Sequence, residues 1–389
     1  MNLRRLPPVW SPLTLTAVFG GVRAGWLGSG RRARQEVERL LRAAYGPDAL
    51  FLTDSGTSAL TLAITAARSV SPTPIALPAY CCYDVATAAI GADAPFFLYD
   101  LDPGTLSPDL ASLRLALEGG AGTVVVAHLY GVPMDFAAVE ALAAEFGALI
   151  VEDAAQASGC SWKGKPAGSH GAMGVLSFGR GKGITGGGGG ALLINDRRFA
   201  RSADPSQVAS RGHHAPARGS LGEVIRLAAQ WALGRPSLYR IPASLPFLGL
   251  GTTPYRAPHP TGGLSPVAAG VLAHTLDYAS AEVGLRRANA ARLRNEIRGV
   301  AHIQVPDGWE AGWLRLPVVL PRTAGGVLTR HHAALGVMPG YPVALPDLPG
   351  FGERRLNRER KFAGARLLAE RLVTIPTHRF VRSATVPVF

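Results

Sequence analysis

The sequence is short of cysteine, of lysine and of charge in general. Only 17% of its 389 residues are charged, three are cysteines, and four of its 40 basic residues are lysines. Three cysteines, two of them adjacent, are too few for a disulfide framework and indicate a reducing compartment. No apolar run reaches the roughly 18 residues of a membrane-spanning helix, and prolines interrupt the weakly apolar N-terminus, so neither a spanning helix nor a signal peptide is expected. These absences predict a cytoplasmic protein.

The sequence has instead a large apolar fraction and a strong positive charge. Apolar residues make up 47% of the chain, which excludes disorder and allows a sizeable core. The net charge of +13 is spread along the chain, so it fits either an anionic partner or an arginine-rich, solvated surface. No nucleic-acid partner is expected, because no helix-turn-helix, zinc knuckle or RNA-binding signature is present. No metal is expected, because histidines and carboxylates do not stand at ligand spacing.

The first half of the chain alternates between short apolar runs and segments with helical periodicity. The runs lie at 49–52, 74–77, 95–98, 123–127 and 148–151. Apolar strands separated by single helices indicate βαβ units and a mostly parallel sheet with helices on both faces. The sequence therefore predicts an α/β fold with a large first domain.

A change in composition after about residue 240 predicts the domain organisation. Five prolines fall between residues 241 and 263, which favours an extended connection. We expect an N-terminal segment and large α/β domain over 1–240, a connection over 241–265, and a smaller α+β domain over 266–389. The smaller domain is predicted to begin with one long helix over 266–298.

Three chemically distinctive features follow strands of the predicted sheet, where ligands bind in open α/β folds. Gly56, Thr57 and Ser58 open a helix and form a potential anion site, although an ordinary helix cap is the simpler interpretation. Asp153 ends a buried strand, where a carboxylate needs a cation or a donor unless it only caps a turn. Lys182 lies in a glycine-rich loop, where it is either a Schiff-base lysine or a surface residue.

Together the three features match the needs of one cofactor, pyridoxal 5'-phosphate. The helix start suits its phosphate, Asp153 suits its pyridinium nitrogen, and Lys182 suits its aldehyde. On this hypothesis, Lys182 also moves a proton between the substrate and the cofactor.

The motifs resemble those of DegT/StrS-type sugar aminotransferases, which have the fold type I architecture of aspartate aminotransferase. The resemblance rests on Gly25–Leu27, Ser55–Leu60, Pro78–Tyr80, Asp100–Asp102, His128–Gly131, Glu152–Gln156, Ser177–Lys182 and Leu372–His378. It implies a sheet sandwiched by helices, a smaller C-terminal domain, a pyridoxal-phosphate cofactor and a homodimer.

The resemblance also implies roles for individual residues. Lys182 is then the lysine of the internal aldimine, Asp153 contacts the pyridine nitrogen, and Gln156 neighbours the ring hydroxyl. The implied phosphate ligands are Gly56, Thr57, Ser58 and Ser177. Either Cys82 or Tyr83 stacks on the ring. The expected substrate contacts are Trp26, His128, Tyr130, Arg211 and His213, the last two being equally compatible with a solvated basic loop.

The activity implied is transfer of an amino group from glutamate or glutamine to a keto sugar, and the acceptor expected from the resemblance is a nucleotide-linked one. Elimination or aldol cleavage on the same cofactor, and a lipid-linked or non-nucleotide acceptor, are the alternatives. The chain departs from the family at Gly188, where a glutamate is usual, and at 262–265, where an asparagine and an arginine are usual. In the family, that asparagine reaches the cofactor phosphate from the partner subunit, so these departures leave open both the contact across the subunit boundary and the nucleotide-linked keto sugar as substrate.

An amphipathic helix is predicted over 221–233, followed by an apolar stretch over 244–251. Such a segment most often packs on a partner subunit. Peripheral contact with a membrane, near a lipid-linked substrate, is the less favoured interpretation.

Overall fold

The structure, a computed structural model, describes residues 5–202, 219–244, 255–349, 351, 353–382 and 387–389, and for residues 200–202 the backbone only. Within these residues the α-helices are α1 (Leu15–Trp26), α2 (Gly30–Tyr45), α3 (Gly56–Val70), α4 (Tyr83–Gly91), α5 (Leu110–Glu118), α6 (Phe136–Glu145), α7 (Arg197–Ser202), α8 (Leu221–Leu233), α9 (Arg240–Ala243), α10 (Pro266–Thr275), α11 (Ala279–Glu296), α12 (Ala324–Val327), α13 (Arg330–Ala334) and α14 (Ala363–Arg371). Short 3₁₀ turns lie at Leu129–Gly131 and Leu345–Asp347.

The strands form three sheets. They are β1 (Ala49–Thr53), β2 (Ile75–Pro78), β3 (Phe96–Tyr99), β4 (Thr123–Ala127), β5 (Leu149–Asp153), β6 (Ser161–Trp162), β7 (Lys165–Pro166), β8 (Met173–Ser177), β9 (Gly190–Ile194), β10 (Ala301–His302), β11 (Trp309–Glu310), β12 (Arg315–Val319), β13 (Met338–Pro339) and β14 (Leu372–Pro376). The seven-stranded sheet has the order β1-β9-β8-β5-β4-β2-β3, in which only β9 runs against the others. An antiparallel sheet of order β10-β12-β14-β13 and a small sheet of β11, β6 and β7 complete the set.

The seven-stranded sheet is buried on both faces. Its interior strand β4 is rich in valine, which suits a pleated strand that is buried on both faces. Val125 belongs to the apolar cluster on one face, whereas Val124 and Val126 belong to the cluster on the other. Side chains of a strand alternate between faces, so helices must cover both, as in a βαβ sandwich.

Several helices begin where short polar side chains predict a start. Ser55 accepts a hydrogen bond from the Ser58 N–H at the start of α3, and Asp135 accepts one from Ala138 at the start of α6. Such caps satisfy an otherwise orphaned N–H of the first turn. Ser220 forms a capping box at the start of α8, so the predicted helix over 221–233 is confirmed with the same bounds.

The single long helix predicted over 266–298 is wrong, because the structure contains two helices there. The first, α10, packs with α1 and contributes Ala269 and Leu272 to the core of the seven-stranded sheet. The second, α11, contributes Leu293 to a separate cluster with β12 and β14. Because of this break, α10 packs into the core of the seven-stranded sheet and α11 packs against β12 and β14. The proposed domain boundary at 266 stays a prediction.

No helix among the described residues is long and apolar enough to cross a membrane. The apolar stretch predicted over 244–251 lies outside the described residues except for Ser244.

Candidate active site

A cavity of about 360 Å³ opens at the carboxyl ends of the parallel strands, and we call it the Lys182 cavity. Eight of the residues predicted from the sequence line it: Gly56, Thr57, Cys82, His128, Asp153, Gln156, Ser177 and Lys182. They come from the ends of three strands, β4, β5 and β8, and from the starts of two helices, α3 and α4. Their convergence at one edge of the sheet is the geometry expected of a ligand site in an open α/β fold.

The start of α3 forms one wall of the cavity. A β-carbon on Gly56 would lie 2.6 Å from the Cβ of Ser177, so only glycine fits this close approach between β8 and α3. The hydroxyl of Ser55 caps Ser58, whose side chain is buried and does not line the cavity. The remaining N–H groups of the first turn, beginning with those of Gly56 and Thr57, make a site for an anion.

Asp153 is the last residue of β5 and faces the cavity. One carboxylate oxygen accepts a hydrogen bond of 3.0 Å from the N–H of Ala155. The structure gives its other oxygen no hydrogen bond within the described residues. Burial raises the pKa of Asp153, and the Ala155 bond and the charge of Lys182 oppose that rise. The carboxylate is therefore under-satisfied and suited to a cationic or N–H partner in the cavity.

Lys182 lies in the loop 178–189, whose two ends are tied together by β8 and β9. Ser177 pairs with Gly190 at the ends of those strands, and the Phe178 N–H donates to the Gly189 carbonyl at 2.8 Å. The backbone takes positive φ angles on both sides of the lysine, at Gly181 and Gly183. Glycine adopts these angles at little steric cost, so the loop can turn sharply and present Lys182 to the cavity.

Gln156 has a fixed orientation in the cavity wall. Its side-chain oxygen accepts the N–H of Tyr130 at 2.9 Å, and its side-chain N–H donates to the Tyr341 hydroxyl at 2.5 Å. Tyr130 itself has a φ of +58°, an unusual angle for a residue with a side chain. Its buried hydroxyl lies 3.0 Å from that of Tyr80. The backbone N–H of Tyr130 thus helps to fix the side chain of Gln156, whereas the side chain of Tyr130 does not line the cavity.

Between the two candidates for ring stacking, only Cys82 lines the cavity. Burial raises the pKa of the Cys82 thiol to about 12, with Asp84 adding to the rise and Lys182 opposing it, so the thiol is neutral at physiological pH. Its Sγ donates to the Asp84 carboxylate at 3.5 Å. Tyr83 begins α4 and points away, with its hydroxyl donating to the Val343 carbonyl at 2.9 Å.

His128 lines the cavity but is held by a buried network. Its Nδ1 accepts the Met134 N–H at 3.2 Å, so its Nε2 carries the proton and donates to Glu152 at 2.8 Å. Glu152 also accepts the N–H groups of His170 and Gly171. Burial would raise the pKa of Glu152, but these hydrogen bonds outweigh it and the net effect is a lowered pKa. His128 therefore sits in a rigid, satisfied position.

Among the described residues, Trp26 was also predicted to contact the substrate, and it does not line the cavity. Trp26 is exposed at the end of α1, and Arg211 and His213 lie outside the described residues. Their roles stay predictions.

The structure adds residues to which sequence reasoning gave no role. The cavity is also lined by Asp54, Asp84, Arg180, Gly188, Gly189 and Arg256. Asp54 lies next to one of the motifs quoted above and Arg180 lies within another. Their positions in the sequence could therefore have identified them as site residues. Arg256 lies within the proline-rich connection, and its carbonyl accepts the Thr87 hydroxyl at 2.8 Å. That long-range contact has no signature in the sequence.

The part of the chain that the structure describes contains no group of three or more histidine, cysteine, aspartate or glutamate residues placed to hold a metal ion. The three cysteines are all described and all free.

Curated relatives match part of the chain. An L-glutamine:2-deoxy-scyllo-inosose aminotransferase of Streptoalloteichus tenebrarius is 33% identical over 169 residues, which is 43% of this chain and 40% of the relative. An enzyme of the same name from Micromonospora echinospora is 29% identical over 226 residues, 56% of this chain and 54% of the relative. The matched region thus spans about half the length of these relatives or less.

The whole chain resembles a solved structure in fold. The sugar aminotransferase CalS13 from Micromonospora echinospora superposes with a TM-score of 0.72 at 22% identity, covering 98% of this chain and 96% of CalS13. This similarity confirms the predicted fold type I architecture. A family model described as the DegT/DnrJ/EryC1/StrS aminotransferase family matches residues 14–242, which is more than half of the chain. The chain therefore belongs to the DegT/DnrJ/EryC1/StrS aminotransferase family.

Proposed function

We propose that the protein is a pyridoxal-phosphate-dependent aminotransferase. It transfers the amino group of glutamate or glutamine to the carbonyl carbon of a keto sugar or a related polyhydroxylated cyclic ketone. The family membership and the names of the curated relatives support this class of donor and acceptor. The observation that carries the proposal is the convergence of Lys182, Asp153 and the start of α3 on one cavity.

The cavity fits the proposed cofactor at three points. Gly56 brings the start of α3 close to Ser177, and the unpaired N–H groups of this first turn suit the oxygens of a phosphate. Asp153 offers a carboxylate oxygen to a ring nitrogen, and a cation there would offset the cost of burying the carboxylate. Gln156 retains one side-chain N–H beyond its bond to Tyr341, which suits the ring hydroxyl.

When bound, pyridoxal phosphate supplies an electron sink that acidifies the hydrogen on the α carbon of the donor. Asp153 keeps the ring nitrogen protonated, since its carboxylate stabilises a positive charge beside it. Lys182 Nζ holds the cofactor, then removes the proton from the α carbon and returns a proton during the second half of the reaction. The donor leaves as its keto acid, with oxygen taken from water. The acceptor gains the nitrogen and releases its carbonyl oxygen as water.

Cys82 takes the place of the ring-stacking side chain in this proposal. Its neutral thiol is a small, polarisable contact, smaller than an aromatic ring. It leaves more room on that face of the cavity.

The proposal includes a homodimer. Phe19 on α1 is 68% exposed, and Leu221 and Ile225 on the neighbouring α8 are 69% and 59% exposed. Large apolar side chains clustered on adjacent helices favour burial against another surface. A second copy of this chain is the proposed occupant.

The first test compares the absorption spectra of the wild-type protein with those of Lys182→Ala. The wild-type protein is expected to show the band of lysine-bound cofactor, to lose it on addition of glutamate or glutamine, and to release one keto acid per site. Lys182→Ala should lack that band and lose activity by at least about 10³-fold, because the proton carrier is gone. Lys165→Ala, at an exposed lysine of β7, is the matched control and should behave as wild type.

Two results would contradict the proposal. One is undiminished turnover in Lys182→Ala. The other is a wild-type protein that releases ammonia or an aldehyde in place of stoichiometric keto acid, which would favour elimination or aldol cleavage.

A further inference from the structure

The loop that carries Lys182 depends on outside contacts for its shape. Seven of the twelve residues of the loop 178–189 are glycine. Glycine has more conformational freedom to lose on folding than any other residue, so a loop of this composition does not fix its own course. The neighbours of Lys182 in the chain, Gly181 and Gly183, have φ angles of +78° and +84°. The contacts that hold these two glycines therefore decide where Lys182 lies.

After the lysine, the loop is held by the two helices α10 and α11. A β-carbon on Gly183 would lie 2.6 Å from Nη1 of Arg286, a buried residue of α11, and 2.8 Å from the Cβ of Ser158. Arg286 in turn donates to the Ser158 carbonyl at 3.0 Å. Two residues further along the loop, the Thr185 carbonyl accepts the buried hydroxyl of Thr275, the last residue of α10, at 2.7 Å.

Before the lysine, the loop is held by residues 6–11, which we call the N-terminal strap. The hydroxyl of Ser11 accepts the buried N–H of Gly181 at 2.9 Å, and Ser11 is only 7% exposed. A β-carbon on Gly181 would lie 2.6 Å from Cγ2 of Val9. The N-terminal strap therefore supplies both a hydrogen-bond acceptor and a close packing contact at the residue that precedes Lys182.

The first residues of the N-terminal strap are fixed by the C-terminal part of the chain. The N–H of Leu6 donates to the Ala334 carbonyl at 2.9 Å, and Nε2 of His378 donates to the Pro7 carbonyl at 2.8 Å. His378 is buried, and burial lowers its pKa to about 4, so its ring is neutral. Its Nδ1 accepts the N–H of Phe380, which leaves the single proton on Nε2 for the bond to the strap.

Packing contacts fix the other end of the N-terminal strap. The ring of Trp10 packs edge-on against the ring of Phe380, with their centroids 5.4 Å apart. The guanidinium of Arg379 lies 5.0 Å from the centre of the Trp10 ring. Just after the strap, Leu13 joins the apolar cluster that unites α1, α8 and α10. Because the strap is anchored on both sides, it holds the Ser11 hydroxyl in a fixed position beside the loop.

We propose that Ser11 is a positioning residue for Lys182. This inference rests on the proposed aminotransferase function. Ser11 does not line the Lys182 cavity, so it acts through the peptide N–H of Gly181, whose direction sets the direction in which the lysine leaves the loop. Without the hydroxyl, that buried N–H has to turn toward another acceptor. A misplacement of about 1 Å can slow a reaction about 100-fold, so Lys182 Nζ is sensitive to such a turn.

The test follows the bond between Lys182 and the cofactor separately from turnover. Pyridoxal phosphate is removed from the wild-type protein and from Ser11→Ala, and is then added back while the absorption of lysine-bound cofactor is recorded. Reduction with borohydride and peptide mass spectrometry identify the modified lysine. Ser11→Ala is expected to form this bond about 10- to 100-fold more slowly. With glutamate as donor, its single-turnover rate at saturation should fall over the same range, with the half-saturating concentration unchanged.

Two further substitutions at the same position grade the effect. Ser11→Thr keeps the hydroxyl acceptor and should form the bond within about 3-fold of the wild-type rate. Ser11→Cys keeps the shape of the side chain but offers a weak acceptor, so its rate should lie between those of wild type and Ser11→Ala.

The matched control is Ser107→Ala. Ser107 is 8% exposed, its hydroxyl accepts the Asp135 N–H at 3.0 Å, and it does not line the Lys182 cavity. Its loss removes the same kind of buried bond as the loss of Ser11. Ser107→Ala should therefore lower the urea midpoint of unfolding about as much as Ser11→Ala, and leave the rate of bond formation at Lys182 unchanged.

Each outcome decides the inference. A Ser11→Ala protein that is destabilised like Ser107→Ala but forms the bond at the wild-type rate has lost a structural contact only, which overturns it. If Ser11→Ala does not fold, Ser11→Cys decides: a slowed rate supports the inference and a wild-type rate overturns it. A wild-type protein that forms no lysine-bound cofactor overturns the proposed function, and this inference with it. That result is distinct, because it appears before any variant is compared.

Discussion

Two consecutive carboxylates on β5 differ in how many hydrogen bonds they accept. Glu152 and Asp153 point to opposite faces of the sheet, as neighbouring strand residues do. Glu152 is fully buried and receives hydrogen bonds from His128 and from two backbone N–H groups. Asp153 receives one, from Ala155, and faces the cavity. The satisfied carboxylate stabilises the fold, and the under-satisfied one is available to a ligand.

Replacing Glu152 is expected to destabilise the protein. In Glu152→Gln the NH2 group of the side-chain amide would face the donor of His128 or the backbone N–H groups, leaving buried donors without an acceptor. The expected loss is about 2 to 4 kcal/mol in the free energy of unfolding at pH 7, measured by urea denaturation. Glu145→Gln is the control, since Glu145 pairs with Arg114 on the surface, and it should change stability by less than about 0.5 kcal/mol.

The difference between wild type and Glu152→Gln should depend on pH. The folded-state pKa of Glu152 lies below its unfolded value, so its stabilising effect is present above the unfolded pKa of about 4.3. That effect is lost as the pH falls through the folded-state pKa. A stability difference that stays constant from pH 7 to below pH 4 would contradict this account.

Single residues also mark what the sequence could and could not predict at the site. Gly56, Asp153 and Lys182 were predictable because each follows a recognisable strand within a motif. The choice between Cys82 and Tyr83 was not, since it depends on where α4 begins and on which way the first turn faces. Arg256 had no signal at all, because it reaches the cavity from a part of the chain distant from the motifs.

At the scale of elements, the packing of α1 against α10 fixes the N-terminal segment to the core. A β-carbon on Gly270 would lie 2.3 Å from the Gly20 carbonyl oxygen and 2.6 Å from the Cβ of Ala24. The two helices therefore approach so closely that no side chain fits between them at this position. Helix propensity gives no indication of this, because glycine disfavours a helix.

This contact predicts opposite effects for two glycine-to-alanine changes. Gly270→Ala should lower the free energy of unfolding by about 2 to 3 kcal/mol, because the added methyl forces α1 away from α10. Gly284→Ala, in α11 with open space around it, should raise it by about 0.5 to 1 kcal/mol through helix propensity. Chemical denaturation of both variants checks the pair. A neutral Gly270→Ala would mean that the helices can separate without cost.

Elements were predictable in the first half of the chain and less so later. The short apolar runs up to residue 151 predict the bounds of β1 to β5 closely, because each of these strands is a separate apolar segment between two helical segments. The break between α10 and α11 was missed because a continuous helical pattern hides a change of packing partner.

At the scale of the whole molecule, the exposed apolar side chains of α1 and α8 predict how two copies associate. Phe19→Ser is expected to weaken the dimer at least about 30-fold, measured by sedimentation over a range of protein concentrations, because a large anchor side chain leaves the interface. Leu356→Ser, at a half-exposed leucine beside β3, is the control and should leave association unchanged.

Two outcomes would contradict the dimer proposal. A wild-type protein that stays monomeric at high concentration excludes a second copy as the occupant. Binding of the monomer to phospholipid vesicles, abolished by Phe19→Ser, would assign the same helices to a membrane surface.

The pairing of β1 has a consequence for synthesis on the ribosome. This strand lies at the edge of the seven-stranded sheet, and its neighbour β9 comes about 140 residues later, with Ala49 opposite Ile194. The apolar strand β1 therefore leaves the ribosome long before its partner β9 is synthesised. An unpaired apolar strand is prone to aggregate and to bind chaperones. The Lys182 cavity needs both strands, because β9 places Gly190 against Ser55 at the end of β1 and separates β1 from β8, which carries Ser177. A nascent chain that ends before Ile194 can thus hold neither the complete sheet nor a competent site.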